Sequence, residues 1–224
     1  AGEPLTVTIT ATPPVSGTQV LLTAQAAMGP AVQSGKLVDG AITLVIPGAQ
    51  TRVAGSYDLI AYAGDAFAHT VVEVHPLAAA DPMLMLAGPG SVSAGGDKRV
   101  QIVSVPLDAL GNPIADGNDV IVRVQYPPAP WLTAGAQQQI SATTQSLLSA
   151  AFVQARQFAG MLTAAVSTGA SHSPARRVLI SPNDPISITI TATPGSAPAD
   201  GRTLIALDTG HLQDRFGNQL MDGM

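Results

Sequence analysis

Residues 5–10 read Leu-Thr-Val-Thr-Ile-Thr, with an apolar side chain at every second position. Successive side chains of a strand point to opposite faces, so this period predicts a strand with one face on a core. Val, Ile and Thr also suit a pleated surface. Residues 186–191, Ile-Ser-Ile-Thr-Ile-Thr, repeat the pattern. Further strands are expected at 20–24, 41–46, 57–63 and 69–74. Others are expected at 100–107, 120–126, 162–167 and 177–180. Val15-Ser16-Gly17, Asp39-Gly40 and Ala63-Gly64-Asp65 punctuate them as turns. Leu148, Phe152 and Ala155 fall at helical spacing. The repeat described next sets that stretch opposite residues 41–53, a strand and turn, so 146–153 is also read as a strand.

The phrase D-x-x-G-N-x-x-x-D-G occurs at Asp108 and again at Asp214. Ser93-Ala94-Gly95 aligns with Ala199-Asp200-Gly201 in the same register. Ala54-Gly55 with Gly64 matches Ala159-Gly160 with Gly169, and Pro76 matches Pro182. Ser16-Gly17-Thr18-Gln19-Val20 matches Asp116-Gly117-Asn118-Asp119-Val120. Together these give a unit of about 105 residues. Residues 1–77 form a first unit, its Ala1-Gly2-Glu3 set against Ala94-Gly95-Gly96, so that an opening strand is lacking. Residues 78–182 form a second unit, and 183–224 the beginning of a third. The joints are expected at 76–81 and 181–185.

Short alternating strands, frequent turns and a period near 100 residues predict an all-β chain. Its architecture is expected to be tandem immunoglobulin-like antiparallel β-sandwiches, the last incomplete. About 100 residues suffice for a self-supporting core.

Three features carry a resemblance to bacterial immunoglobulin-like domains of the invasin and intimin group. The small-x-Gly opening is Ala199-Asp200-Gly201. The D-x-x-G-N-P hairpin lies at Asp108, and its D-x-x-G-N part recurs at Asp214, with Gln219 in place of the proline. The late A-G-x-Y/L strand is Ala54-Gly55-Ser56-Tyr57, with Ala159-Gly160-Met161-Leu162 in the second unit. The first unit departs from the pattern, with Thr12-Pro13-Pro14-Val15 in place of the hairpin. The resemblance implies stalks, spacers and adhesive modules on bacterial surfaces, and no catalytic residue.

Composition narrows the functions further. Charged residues are only 11%, and apolar residues 46%. Net charge is −5, and the cations do not cluster beyond Arg176-Arg177. Nucleic-acid binding, which needs clustered cations against phosphate, is therefore not expected. The absence of Cys removes disulfides, thiolate metal sites and a Cys nucleophile. No apolar run reaches the length needed to span a bilayer, so membrane insertion is not expected. Residue 1 is Ala, and a processed form or a piece of a longer chain is expected.

Asp108, Asn112, Asp116, Asn118 and Asp119 put five oxygen-bearing side chains within twelve residues, which raises a Ca²⁺ site. The same residues are those that turns prefer, and the turn reading is preferred. The run from Gly88 to Lys98 fails the phosphate-loop spacing and is read as a connection between strands. His69, His75, His172 and His211 show no metal-ligand spacing, and no nucleophile elbow occurs. No cofactor motif is found. Tyr126-Pro127-Pro128-Ala129-Pro130-Trp131 gathers aromatics with proline. Tyr126 and Trp131 are the candidate partner contacts, for a glycan or a surface protein. The preferred alternative has Trp131 capping the sandwich from inside.

The expected function is a non-enzymatic structural or adhesive segment of a bacterial extracellular or surface protein. Its partners are the neighbouring immunoglobulin-like domains of the same protein. Alternatives are a ligand-binding accessory module, for carbohydrate or as a virion decoration, and the non-catalytic flank of a secreted enzyme. Head-to-tail assembly by strand addition, using residues 186–191, is a further alternative, and a parent protein that continues on both sides of this window is the preferred reading.

Overall fold

Six strands open the chain: β1 (Leu5–Thr10), β2 (Gln19–Ala26), β3 (Gly29–Lys36), β4 (Ala41–Ile46), β5 (Gly55–Ala63) and β6 (Ala66–Val74). This is a computed structural model, and it describes residues 1–220. Strands β1 and β4 pair antiparallel as one sheet, and β3-β2-β5-β6 form the other. Burial follows the alternation: Val20, Leu22 and Ala24 of β2 and Tyr57, Leu59 and Ala61 of β5 point inward. They meet Leu44 and Ile46 of β4 and the half-buried Leu5, Val7 and Ile9 of β1 in one core. A side chain of this size that leaves water completely contributes about 1.5–3 kcal/mol. Tyr57 joins the core without leaving its hydroxyl unpaired, because its one OH hydrogen is shared between the carbonyls of Val53 and Gln50.

The next nine strands are β7 (Ala79–Gly88), β8 (Ser91–Ser93), β9 (Arg99–Asp108), β10 (Asp119–Gln125) and β11 (Gln137–Thr143), then β12 (Ser149–Gln154), β13 (Gly160–Thr168), β14 (Ser171–His172) and β15 (Arg176–Ser181). Strands β12-β9-β7 form one sheet and β11-β10-β13-β15-β8 the other, with the short β14 folded back on β13. The second core lies between them, built from Met83, Met85, Val100, Ile102, Val120, Val122, Leu162, Val178 and Ile180 among others. Residues 88–90 carry the chain from β7 in one sheet to β8 in the other, where β8 runs parallel to β15.

Registers make the two sandwiches repeats of one plan. Leu22 of β2 faces Ala61 of β5, and Val122 of β10 faces Val166 of β13. Backbone dihedrals repeat with them: φ is +137° at Gly55 and +138° at Gly160, and +84° at Gly17 and +85° at Gly117. At these left-handed values a side chain is strained, so glycine recurs.

Three expectations need correction. The strand read over 146–153 begins at Ser149, because Ser146 and Leu147 take positive φ in the turn that joins β11 to β12. The joint expected over 76–81 is shorter, since Ala79 and Ala80 already pair with Asp108 and Leu107. Between Ala80 and Leu84 the ladder shifts register, which accommodates Pro82 on this outer strand of its sheet. Ser171 Oγ, donating to Ala80 O, and the His172 amide, donating to Asp81 Oδ1, stitch the irregular stretch down.

The third correction concerns residues 186–191. Only Thr191 enters a strand, β16 (Thr191–Thr193), which pairs with β17 (Ala206–Asp208). Ile186, Ile188 and Ile190 are exposed. Alternation makes a strand only where an edge is free to pair and a face free to bury, and no described strand pairs with 186–190. The Asp214 hairpin is nevertheless formed: the Gly217 amide donates to Asp214 O, as the Gly111 amide donates to Asp108 O. The final Asp-Gly of the repeated phrase, at 222–223, lies outside the described residues.

Candidate functional site

The repeated D-x-x-G-N hairpin lies against the preceding unit rather than standing free. Asp108 ends β9 and is buried. Its Oδ1 accepts from the Leu110 and Asn112 amides at 2.8 Å, which closes the turn on itself. Oδ2 accepts from the Leu77 amide at 3.0 Å, in the segment between the two sandwiches. It also accepts from Asn112 Nδ2 at 2.9 Å. Asn112 then reaches across into the first sandwich. Its Nδ2 donates to Arg52 O at 2.8 Å, and its Oδ1 accepts from the Ala54 amide at 3.0 Å. One Asp and one Asn thus tie together the first sandwich, the connecting segment and the second sandwich.

The second copy repeats each bond. Asp214 Oδ1 accepts from the Phe216 and Asn218 amides, and Oδ2 from the Asn183 amide and Asn218 Nδ2. Asn218 Nδ2 donates to Gln157 O at 2.7 Å, and its Oδ1 accepts from the Ala159 amide at 2.8 Å. An apolar peg accompanies each clasp. A Cβ built on Gly2 would stand 2.9 Å from Leu110 Cδ1, and one on Gly95 would stand 2.3 Å from the Phe216 ring. Leu110 and Phe216 hold the same place in the hairpin, and Gly2 and Gly95 are the glycines that the repeat aligns. Only glycine lets the peg sit this close.

Burial pushes the Asp108 and Asp214 carboxyls up, but the asparagine and amide hydrogen bonds outweigh it and hold both below the usual carboxylate range. Charge-assisted bonds of this kind are the stronger ones.

These bonds occupy most of the residues singled out for Ca²⁺. Asp108 and Asn112 are saturated by the clasp. Asp116 accepts from the Ser146 and Leu147 amides at 2.9 and 2.8 Å, and so secures the turn before β12. Asn118 donates to Ala115 O. Asp119 begins β10, and its carbonyl accepts from Thr168 Oγ1. The five do not converge on one point: Asp108 and Asn112 bond each other within the clasp, while Asp116 and Asn118 bond separate stretches of backbone. Among the described residues no group of three or more His, Cys, Asp or Glu is placed to hold a metal.

A second feature lies at the far end of the second sandwich. Tyr126 and Trp131, paired as candidate contacts, part company. Tyr126 is buried, with its OH donating to Gln138 Oε1 at 2.6 Å. Trp131 is 75% exposed, so the expectation that it caps the core from inside is overturned. The physical reason is its loop. Tyr126, Pro127 and Ala129 supply the buried anchors there, whereas Pro128, Pro130, Trp131 and Leu132 are exposed. The Trp131 ring packs edge-on to Phe158, centroids 5.4 Å apart. The Arg156 guanidinium lies 4.1 Å above the Tyr126 ring.

Sequence reasoning missed Arg52, Ala54, Leu77, Gln157, Ala159 and Asn183, because all six meet the clasp through backbone atoms. The signal was nonetheless there. The Ala-Gly marker and the D-x-x-G-N hairpin recur at nearly one interval, as two surfaces that meet would do.

No family model matches the sequence, and no curated protein matches it. Solved structures do. Invasin, described as a bacterial integrin-binding protein, superposes with TM-score 0.55 at 18% identity over 99% of this chain and 45% of its own. InvD of Yersinia pseudotuberculosis gives TM-score 0.59 at 17% identity, over 97% of this chain and 66% of its own. The Escherichia coli adhesin FdeC gives TM-score 0.59 at 16% identity, over 99% of this chain and 72% of its own. The chain therefore spans about half the length of the invasin chain, and its fold is that of the tandem bacterial immunoglobulin-like domains of these proteins.

Proposed function

We propose that the chain is a non-enzymatic spacer segment of a bacterial extracellular or surface protein, in which clasped immunoglobulin-like domains hold a distal part at a fixed distance. The observation that carries this reading is the duplicated clasp. Neighbouring domains of one chain move relative to one another unless their interface is extensive. Here the same Asp, Asn and apolar peg recur at both joints and bond to the same three places. A binding module needs no such repetition, whereas a stalk needs the same geometry at every joint. Arrangement in series is also how the adhesins that share the fold are built.

Small-angle scattering tests the reading. The chain is expected to give a single maximum dimension that does not change with temperature below unfolding. An Asn112→Ala/Asn218→Ala double variant is expected to give a broader range of dimensions with both cores still folded. Identical scattering from the two proteins would remove the mechanical role of the clasp.

A further inference from the structure

The two sandwiches differ most at one connection. In the first, β2 and β3 are joined by Ala27 and Met28 alone. In the second, β10 and β11 are joined by residues 126–136, far more than a hairpin needs. Connections longer than the fold requires are where binding sites gather. This loop closes one side of a cleft of about 400 Å³ and, through Tyr126, borders an adjoining one of about 380 Å³, both within the range of small-ligand sites. The first is lined chiefly by apolar groups, among them Pro127, Ala129, Leu132 and Phe158. The second is polar, with Arg99, Gln138, Gln154 and Arg156 around it. Tyr126, Ala155 and Arg156 border both.

Three properties describe the ligand. First, no acidic residue lines either cleft, although the chain carries 15 Asp and Glu against 10 Lys and Arg. Among the described residues the only ion pair joins His69 to Asp58, so Arg99 and Arg156 have no carboxylate partner there. Two guanidiniums without counter-charge beside one cleft call for an anion, and their planar forks suit a carboxylate. Second, the Tyr126 ring 4.1 Å from the Arg156 guanidinium carbon holds that group in place in advance, which lowers the entropy lost on binding. Third, Trp131 stands at the rim of the first cleft rather than in its lining: it packs at an interplanar angle of 87° on Phe158, which does line it, and stays exposed. An aromatic platform with an apolar face suits the C–H face of a sugar ring. The amides of Gln138 and Gln154 suit ring hydroxyls, and the Gln138 amide nitrogen is free to donate because only its oxygen is engaged by Tyr126.

We infer that the cleft between the Trp131 loop and Arg99, Gln154 and Arg156 binds a carboxylate-bearing saccharide. The sugar ring lies on the Trp131 side and its carboxylate faces the two arginines. The position fits a spacer that also grips, because Gln157 and Ala159, next to the cleft, are the residues held by the second clasp.

Trp131 is the only tryptophan, so its fluorescence reports this site alone. Trigalacturonate is titrated into the full chain, with maltotriose as the uncharged sugar and triglutamate as the acidic non-sugar. The expected result is a saturable change in Trp131 emission with trigalacturonate, at least about tenfold weaker with either comparison probe. By calorimetry, Arg156→Gln and Trp131→Ala each weaken trigalacturonate binding by about tenfold or more. Both side chains lie outside the core, and circular dichroism melting checks that each variant folds. Equal affinity for triglutamate would replace the saccharide with an acidic peptide and overturn the proposal. So would equal affinity for maltotriose, no saturable binding of trigalacturonate, or unchanged affinity in both folded variants.

Discussion

Asp108 and Asn112 show how one short phrase admits two chemistries. An Asp and an Asn four residues apart look alike in sequence, whether they await a cation or close a turn. The amides around them decide the matter, since four hydrogen bonds already satisfy the Asp108 carboxylate. Replacing Asn112 by Ala leaves that buried carboxylate short of a donor and strands the Ala54 amide and the Arg52 carbonyl. The expected loss is about 2 kcal/mol, from the usual cost of unmade bonds to charged groups, read as an earlier chemical-denaturation midpoint. Acid acts on the same atoms. Asp108 and Asp214 have folded pKa values below their unfolded ones, so their contribution is fully present above the ordinary carboxylate value of about 3.9. It is lost as pH falls through the lowered folded values. Amide exchange at Leu77 and Asn183 is therefore expected to stay protected at about pH 5 and to lose protection only below about pH 4.

Strands were legible where alternation and repeat agreed. Residues 41–46 form β4 with the expected bounds, and the stretch read over 146–153 holds a strand, Ser149–Gln154, rather than a helix, as its repeat counterpart β4 implied. Strands β3 (Gly29–Lys36) and β11 (Gln137–Thr143) were not legible. They are outer strands, rich in Gln, Ser and Gly, whose few buried side chains leave no alternation to read. Residues 186–190 failed in the opposite sense, with strong alternation and no sheet edge to join. Trp131 misled because composition shows that a Trp is present and not which way a proline-stiffened loop turns it. The pegs were hidden as well, since each glycine and its apolar partner belong to different units. They yield a sharp expectation. Gly95→Ala adds a methyl where Phe216 lies and where φ is +59°, so it should destabilise the joint by about 1–2 kcal/mol. Combined with Phe216→Ala, the steric part of that cost should disappear. A double-mutant cycle on thermal unfolding measures the coupling.

For the molecule as a whole, the clasps bond each unit to the one before it, which is what the proposed spacer requires. Each sandwich has its own core, so breaking a clasp should free the joint without unfolding either neighbour. The chain lacks cysteine, which allows spin labels to be placed at will. Ser34 on β3 and Ser141 on β11 are exposed and take no part in the joint's bonds. The most direct measurement is the electron–electron distance distribution between labels at Ser34→Cys and Ser141→Cys, with Asn112 intact and with Asn112→Ala. A narrow distribution that broadens markedly in the variant is the expected result. A broad distribution with the clasp intact, or one unchanged by its removal, would contradict the account.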